Sequence, residues 1–189
     1  MLLNQLEKKE LYHSAVERMC ESRLREWLAV RVLFKNIFGE EKEIAYTAFG
    51  KPYLTDGSYH IGISHTKGFI AVVWDKNNPV SVDIERITQK VENIRTRFLN
   101  EAEESRLSED NRLIHLLLHW SAKETLFKQL DENDIELKTQ LHIHPFEPVL
   151  NRWATFTAHE TRTSEQQSFT ISYLVTDDYV LTSIAPNVP

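Results

Sequence analysis

The sequence predicts an α+β fold. It is expected to form a pseudo-two-fold pair of similar α/β halves, each a small antiparallel sheet packed on a long helix, with the active site in the cleft between them. Three observations point there. Segments 11–38 and 112–130 carry apolar residues at helical spacing. The stretches between and after them alternate apolar and polar residues, as half-buried strands do. Finally, Ile61-Gly-Ile-Ser-His, a turn and Phe69-Ile-Ala-Val-Val are echoed by Phe169-Thr-Ile-Ser-Tyr, a turn and Tyr179-Val-Leu-Thr-Ser-Ile-Ala, so each half would be helix plus hairpin. Two unrelated hairpins can look this alike on pattern alone. The expected halves are 1–86 and 87–189, in one unit that 189 residues with 41% hydrophobic content can give a core.

Along the chain, Val16, Met19, Leu24, Trp27, Leu28, Val30, Leu33, Phe34 and Ile37 define one long amphipathic helix, or two with a break near Cys20, and Gly39 is the stop signal. Gly50-Lys51-Pro52 marks a turn between two extended pieces. Residues 60–74 read as a hairpin turning at Lys67-Gly68, and Asn77-Asn78-Pro79 leads into a strand over 80–84. Asn100-Glu-Ala-Glu-Glu is a helix start in a polar stretch, Arg112 to Leu130 is helical, and four strand-like pieces follow: 141–143, 154–158, 168–176 and 179–185.

The formal net charge of −6 argues against wrapping nucleic acid or coating an anionic membrane, so an anionic ligand must be met by local basic residues. With one cysteine there is no intramolecular disulfide, and Cys20, inside a helical pattern, reads as a packing residue. No basic-then-apolar leader and no apolar run of membrane-spanning length is present, which makes cytoplasmic residence the expectation.

In Val80-Ser81-Val82-Asp83-Ile84-Glu85 the two-residue period sends the valines and isoleucine to one face and Ser81, Asp83 and Glu85 to the other. Adjacent carboxylates repel unless a cation lies between them, and oxygen-only ligation suits a hard ion such as Mg²⁺. A strand face turned to water would show the same pattern. On the helix, Trp120, Glu124 and Lys128 fall one turn apart on one face: a third carboxylate that could be ligand and base, and an amine that could neutralise a phosphate oxygen. A surface Glu/Lys pair has the same spacing. His65 and Lys51, each beside a turn, fit either a phosphate contact or a solvated side chain. His115 and His119 have a zinc-compatible spacing but no third ligand in sequence, and His142-Ile-His144 is treated likewise, so neither is read as a metal site. With five glycines, Gly-rich phosphate loops are nearly excluded.

Taken in order, Gly50-Lys51-Pro52, Ile63-Ser64-His65, Val82-Asp83-Ile84-Glu85 and Trp120-Ser-Ala-Lys123-Glu124-Thr-Leu-Phe-Lys128 resemble the motif series of the 4′-phosphopantetheinyl transferases, in their larger, monomeric, surfactin-synthetase-activating form. The resemblance implies a monomeric pseudo-dimer of two α/β halves. It implies Mg²⁺ on Asp83, Glu85 and Glu124, with Glu124 also the base, or positioning the base, for a carrier-protein serine. Lys128 would assist departure of 3′,5′-ADP, and Ser64, His65, Lys51 and Arg31 would contact coenzyme A, with Lys123 adding a further contact. The implied partners are coenzyme A and an acyl or peptidyl carrier protein. Two departures stand out: Ser81 occupies a position that is usually glycine in the family, and the usual opening strand has little room before the first helix. The other readings are a non-catalytic homologue that binds coenzyme A or a carrier protein, and a metal-dependent phosphate-ester hydrolase using the same carboxylates.

Overall fold

In the computed structural model, which describes residues 2–130, 132 and 134–186, the predicted first helix is two. A 3₁₀ turn (Leu2–Gln5) precedes α1 (Lys9–Arg18), and α2 (Glu21–Phe38) follows the break. Cys20 is extended at the N-cap of α2 and exposed. It therefore lies at the break and is not the packing residue its helical context suggested. Gly39 ends α2 with φ 74°, its N–H donating to the Lys35 carbonyl; that left-handed conformation favours glycine.

Strands β1 (Ile44–Tyr46) and β2 (Pro52–Leu54) pair antiparallel across the Gly50 turn. The hairpin of β3 (His60–Thr66) and β4 (Phe69–Asp75) runs in register from His60↔Asp75 to Thr66↔Phe69, with Gly68 at φ 91° in its turn. Val30 and Phe34 of α2 pack on Ile44, Leu54 and Ile61, which ties α2 to β1, β2 and β3.

The rest of the chain builds a larger sheet. After β5 (Ser81–Arg86) come a 3₁₀ segment (Gln89–Ile94) and the short helices α3 (Arg95–Phe98) and α4 (Glu101–Glu104), α4 opening with a capping box between Asn100 and Glu103. Next are α5 (Arg112–Leu130), α6 (Leu137–Gln140), β6 (Leu141–Ile143), β7 (Trp153–Glu160), β8 (Ser168–Val175) and β9 (Tyr179–Ile184). The strands form one antiparallel sheet, ordered β5-β9-β8-β7-β6. Leu116, Leu118, Ala122 and Leu126 of α5 are fully buried in a core that includes Phe98, Leu141, Phe156, Ile171 and Val180.

This is an α+β fold in which a helix on antiparallel strands is built twice at unequal size. Strand β5 joins the two parts. It pairs with β9 from Ser81↔Ile184 to Arg86↔Tyr179, so the strand that closes the first half in sequence belongs to the second half's sheet. Val80, Val82 and Ile84 pack on Ala71 and Val73 of β4. The close approach of β3 depends on Gly62: a Cβ there would lie 2.8 Å from Val73 Cγ1 and 3.2 Å from Ser81 Cα.

Candidate active site

The polar face of β5 meets α5. Asp83 Oδ1 accepts from Lys128 Nζ at 2.7 Å and from Ser64 Oγ at 2.9 Å. The Lys128 ammonium also donates to Ser64 Oγ and to the Val82 carbonyl, each at 3.2 Å, and the Ile84 N–H reaches Ser64 Oγ at 3.3 Å. Ser64 thus uses its donor and both acceptor sites to hold β3, β5 and α5 together. Two turns back along α5 from Lys128, Trp120 Nε1–H donates to Glu85 Oε1 at 2.6 Å. Glu124 lies between Trp120 and Lys128 on the same helical face, half-buried.

Three carboxylates therefore lie within electrostatic reach of one ammonium, which contacts Asp83 directly. Burial, then the charges of Asp83 and Glu85, push the Glu124 carboxyl up to about 7, although Lys128 opposes them. Glu85 is raised for the same reasons, burial first and Asp83 second, against the bond from Trp120. Asp83 Oδ2 is buried and has no hydrogen-bond partner. Among the described residues no three His, Cys, Asp or Glu side chains already converge as a metal cage; here the Lys128 ammonium occupies Asp83 Oδ1. The donor chemistry still fits a hard divalent cation: oxygen atoms only, one of them orphaned, with excess negative charge.

Two adjoining hollows open beside this cluster. One, of about 120 Å³, is lined by Gly50, Lys51, Pro52, Ser81, Phe127 and Lys128 among others. A second, of about 140 Å³, shares Gly50, Pro52 and Ile63 and extends to Arg23, Trp27, Tyr46 and His65. They trace a path from the carboxylates towards α2. His65 Nε2 is 2.7 Å from Arg23 Nη1 and 3.1 Å from Glu26 Oε2. Arg23 is a cation at the hollow that the sequence did not single out, since it is one charge among several on the α2 surface.

Two expected ligand contacts are engaged with the protein itself. Lys123 has no exposed side-chain surface; Nζ donates to Glu103 Oε2 at 2.7 Å and the Phe98 carbonyl at 2.6 Å. It points into the core behind α5, so it is an internal ion pair and not a coenzyme A contact. Arg31 is buried, lines neither hollow, stacks its guanidinium 3.2 Å above the Trp27 ring and donates to the Trp27 carbonyl. Burial draws its pKa down to about 10. The bond from Ser64 to Asp83 was also not foreseen; only the fold brings β3 over β5. His119 is buried, bonded through Nδ1 to the His115 carbonyl, and burial holds its pKa near 3, in keeping with a packing role.

Cations facing a carboxylate cluster across a cleft suit a protein that handles phosphate esters. The model of the 4′-phosphopantetheinyl transferase superfamily matches residues 79–184, from just before β5 to the end of β9, and the chain belongs to that superfamily. The match spans Asp83, Glu85, Trp120, Glu124 and Lys128. A search of curated proteins returned no match. The superfamily's reaction is phosphopantetheine transfer, and coenzyme A is its substrate. No described helix is long and apolar enough to cross a membrane.

Proposed function

We propose that this protein transfers the 4′-phosphopantetheine arm of coenzyme A to a serine hydroxyl of an acyl or peptidyl carrier protein, with magnesium, and releases 3′,5′-ADP. The observation that carries the reading is the placement of Asp83, Glu85 and Glu124 around Lys128 at the mouth of a cleft lined by Lys51. A magnesium ion held by these three carboxylates, with Asp83 Oδ2 its ready ligand, would supply positive charge at the diphosphate.

The remaining roles belong to the chain's own residues. The serine oxygen bonds to the phosphorus bearing the pantetheine arm, and the bond from that phosphorus to the bridging oxygen breaks, its electron pair leaving with 3′,5′-ADP. Glu124, on the α5 face turned to Asp83 and Glu85, takes the serine proton or orders the group that takes it. Lys128, swung from Asp83, offsets charge on the departing oxygen. Lys51 and His65 meet phosphates along the two hollows, and Ser64 fixes the Asp83 carboxylate. In this reading 1–86 and 87–189 are the two halves, and a single chain carries the whole cleft.

The test is intact-mass spectrometry of an apo acyl carrier protein incubated with the protein, coenzyme A and Mg²⁺. A gain of about 340 Da that EDTA abolishes supports the reading. Binding of coenzyme A with no gain on several carriers would overturn it.

A further inference from the structure

The sheet edge farthest from β5 carries three histidines that the cleft does not use. Leu141, Ile143 and Ala158 point into the core, so His142, His144 and His159 project from the opposite face of β6 and β7. His142 and His159 are directly cross-strand, their rings stacked at 4.9 Å and 17°. The His144 N–H donates to the Thr157 carbonyl at 2.9 Å and continues the ladder past β6, which sets its ring 4.9 Å from that of His159. The spacing of His142 and His144 is visible in the sequence; His159 arrives only through strand pairing.

We propose that His142, His144 and His159 form a binding site for a borderline divalent transition ion, specifically zinc, separate from the cleft. Imidazole-only donors suit such an ion and not magnesium, which takes oxygen. The outer nitrogens are already held as a metal site needs. His142 Nε2 faces the Thr139 carbonyl at 3.1 Å, an acceptor only, so Nε2 carries the hydrogen and Nδ1 of the neutral ring is a bare donor atom. His144 Nδ1 is fixed by Thr157 Oγ1 at 2.9 Å, which leaves Nε2 for ligation. That nitrogen lies 2.8 Å from His159 Nδ1, so two ring nitrogens share one hydrogen.

Exchanging that hydrogen for zinc, with bonds of about 2.0–2.1 Å in tetrahedral geometry, requires the two nitrogens to part only to about 3.3 Å. His142 must also tilt out of its stack. Among the described residues no three ligands already converge on one point, because the His144–His159 hydrogen bond closes the trio on itself. The three side chains are exposed or half-buried, which leaves the fourth position for water.

The experiment is competition for Zn²⁺ between the full chain and a zinc-chelating dye, repeated in Asp83→Asn to weaken any zinc site in the cleft. The expected result is one zinc per chain with Kd about micromolar or tighter. It persists in Asp83→Asn and in millimolar Mg²⁺, and weakens at least about 10-fold in each of His142→Ala, His144→Ala and His159→Ala. Far-ultraviolet circular dichroism of these surface variants should match wild type. Zinc binding unchanged in the His144→Ala/His159→Ala double variant, or lost in Asp83→Asn alone, overturns the assignment.

Discussion

Replacing Glu124 with glutamine should stabilise the metal-free protein while inactivating it. Burial and the charges of Asp83 and Glu85 hold the Glu124 carboxyl near 7, against an ordinary value of 4.5. Between those values the folded state keeps a proton that the unfolded chain has released, so stability falls as pH rises through that window. The gap amounts to a penalty of up to about 3 kcal/mol at pH 8, but only about 1 kcal/mol at pH 5, where the unfolded acid is only partly charged. Glutamine keeps the shape and removes the titration. Urea denaturation in EDTA should therefore find Glu124→Gln more stable than wild type by about 2–3 kcal/mol at pH 8, with the advantage shrinking to about 1 kcal/mol or less at pH 5. Magnesium added back should stabilise wild type more than the variant. A variant that is less stable at pH 8, or whose advantage is the same at both pH values, would refute the idea that burial, together with the charges of Asp83 and Glu85, keeps Glu124 protonated.

Three further outcomes follow from the geometry. Trp120→Phe removes the 2.6 Å bond to Glu85, so the Mg²⁺ concentration for half-maximal transfer should rise about 10-fold while the rate at saturating Mg²⁺ stays near wild type; an unchanged Mg²⁺ titration would mean that Trp120 does not orient Glu85. Lys123→Met strands Glu103, whose side chain is 3% exposed, and should reduce unfolding free energy by about 3–5 kcal/mol without changing KM for coenzyme A; a raised KM with intact stability would return Lys123 to the ligand. Gly62→Ala drives a methyl to 2.8 Å from Val73 Cγ1 and 3.2 Å from Ser81 Cα, so it should cost about 1–3 kcal/mol and slow transfer by moving Ser64 off Asp83; wild-type melting and turnover would show that β3 and β5 have slack.

What the sequence made legible were the local features. Helix α5 spans 112–130 as its periodicity required, and the β3–β4 hairpin turns at Lys67-Gly68, where glycine supplies the positive φ. The helix start at Asn100 was visible too. What stayed hidden depends on distant pairing. Nothing local says that Ser81 faces Ile184, that β3 crosses β5 at Gly62, or that Ser64 reaches Asp83. Lys123 misled for a related reason: α5 is buried on most of its circumference, so a lysine beside Glu124 can point inward when a carboxylate such as Glu103 waits there. The face shared by Trp120, Glu124 and Lys128 was readable from spacing, whereas Arg23 beside His65 required the packing of α2 against the hairpin end.

The most direct measurement counts two products in one reaction: carrier protein heavier by about 340 Da, and 3′,5′-ADP, each per mole of coenzyme A consumed with Mg²⁺ present. The account predicts that both accumulate one for one, and that both vanish together in EDTA and in Asp83→Asn. Release of 3′,5′-ADP without a heavier carrier would contradict it, because the cleft would then be delivering the phosphopantetheine arm to water.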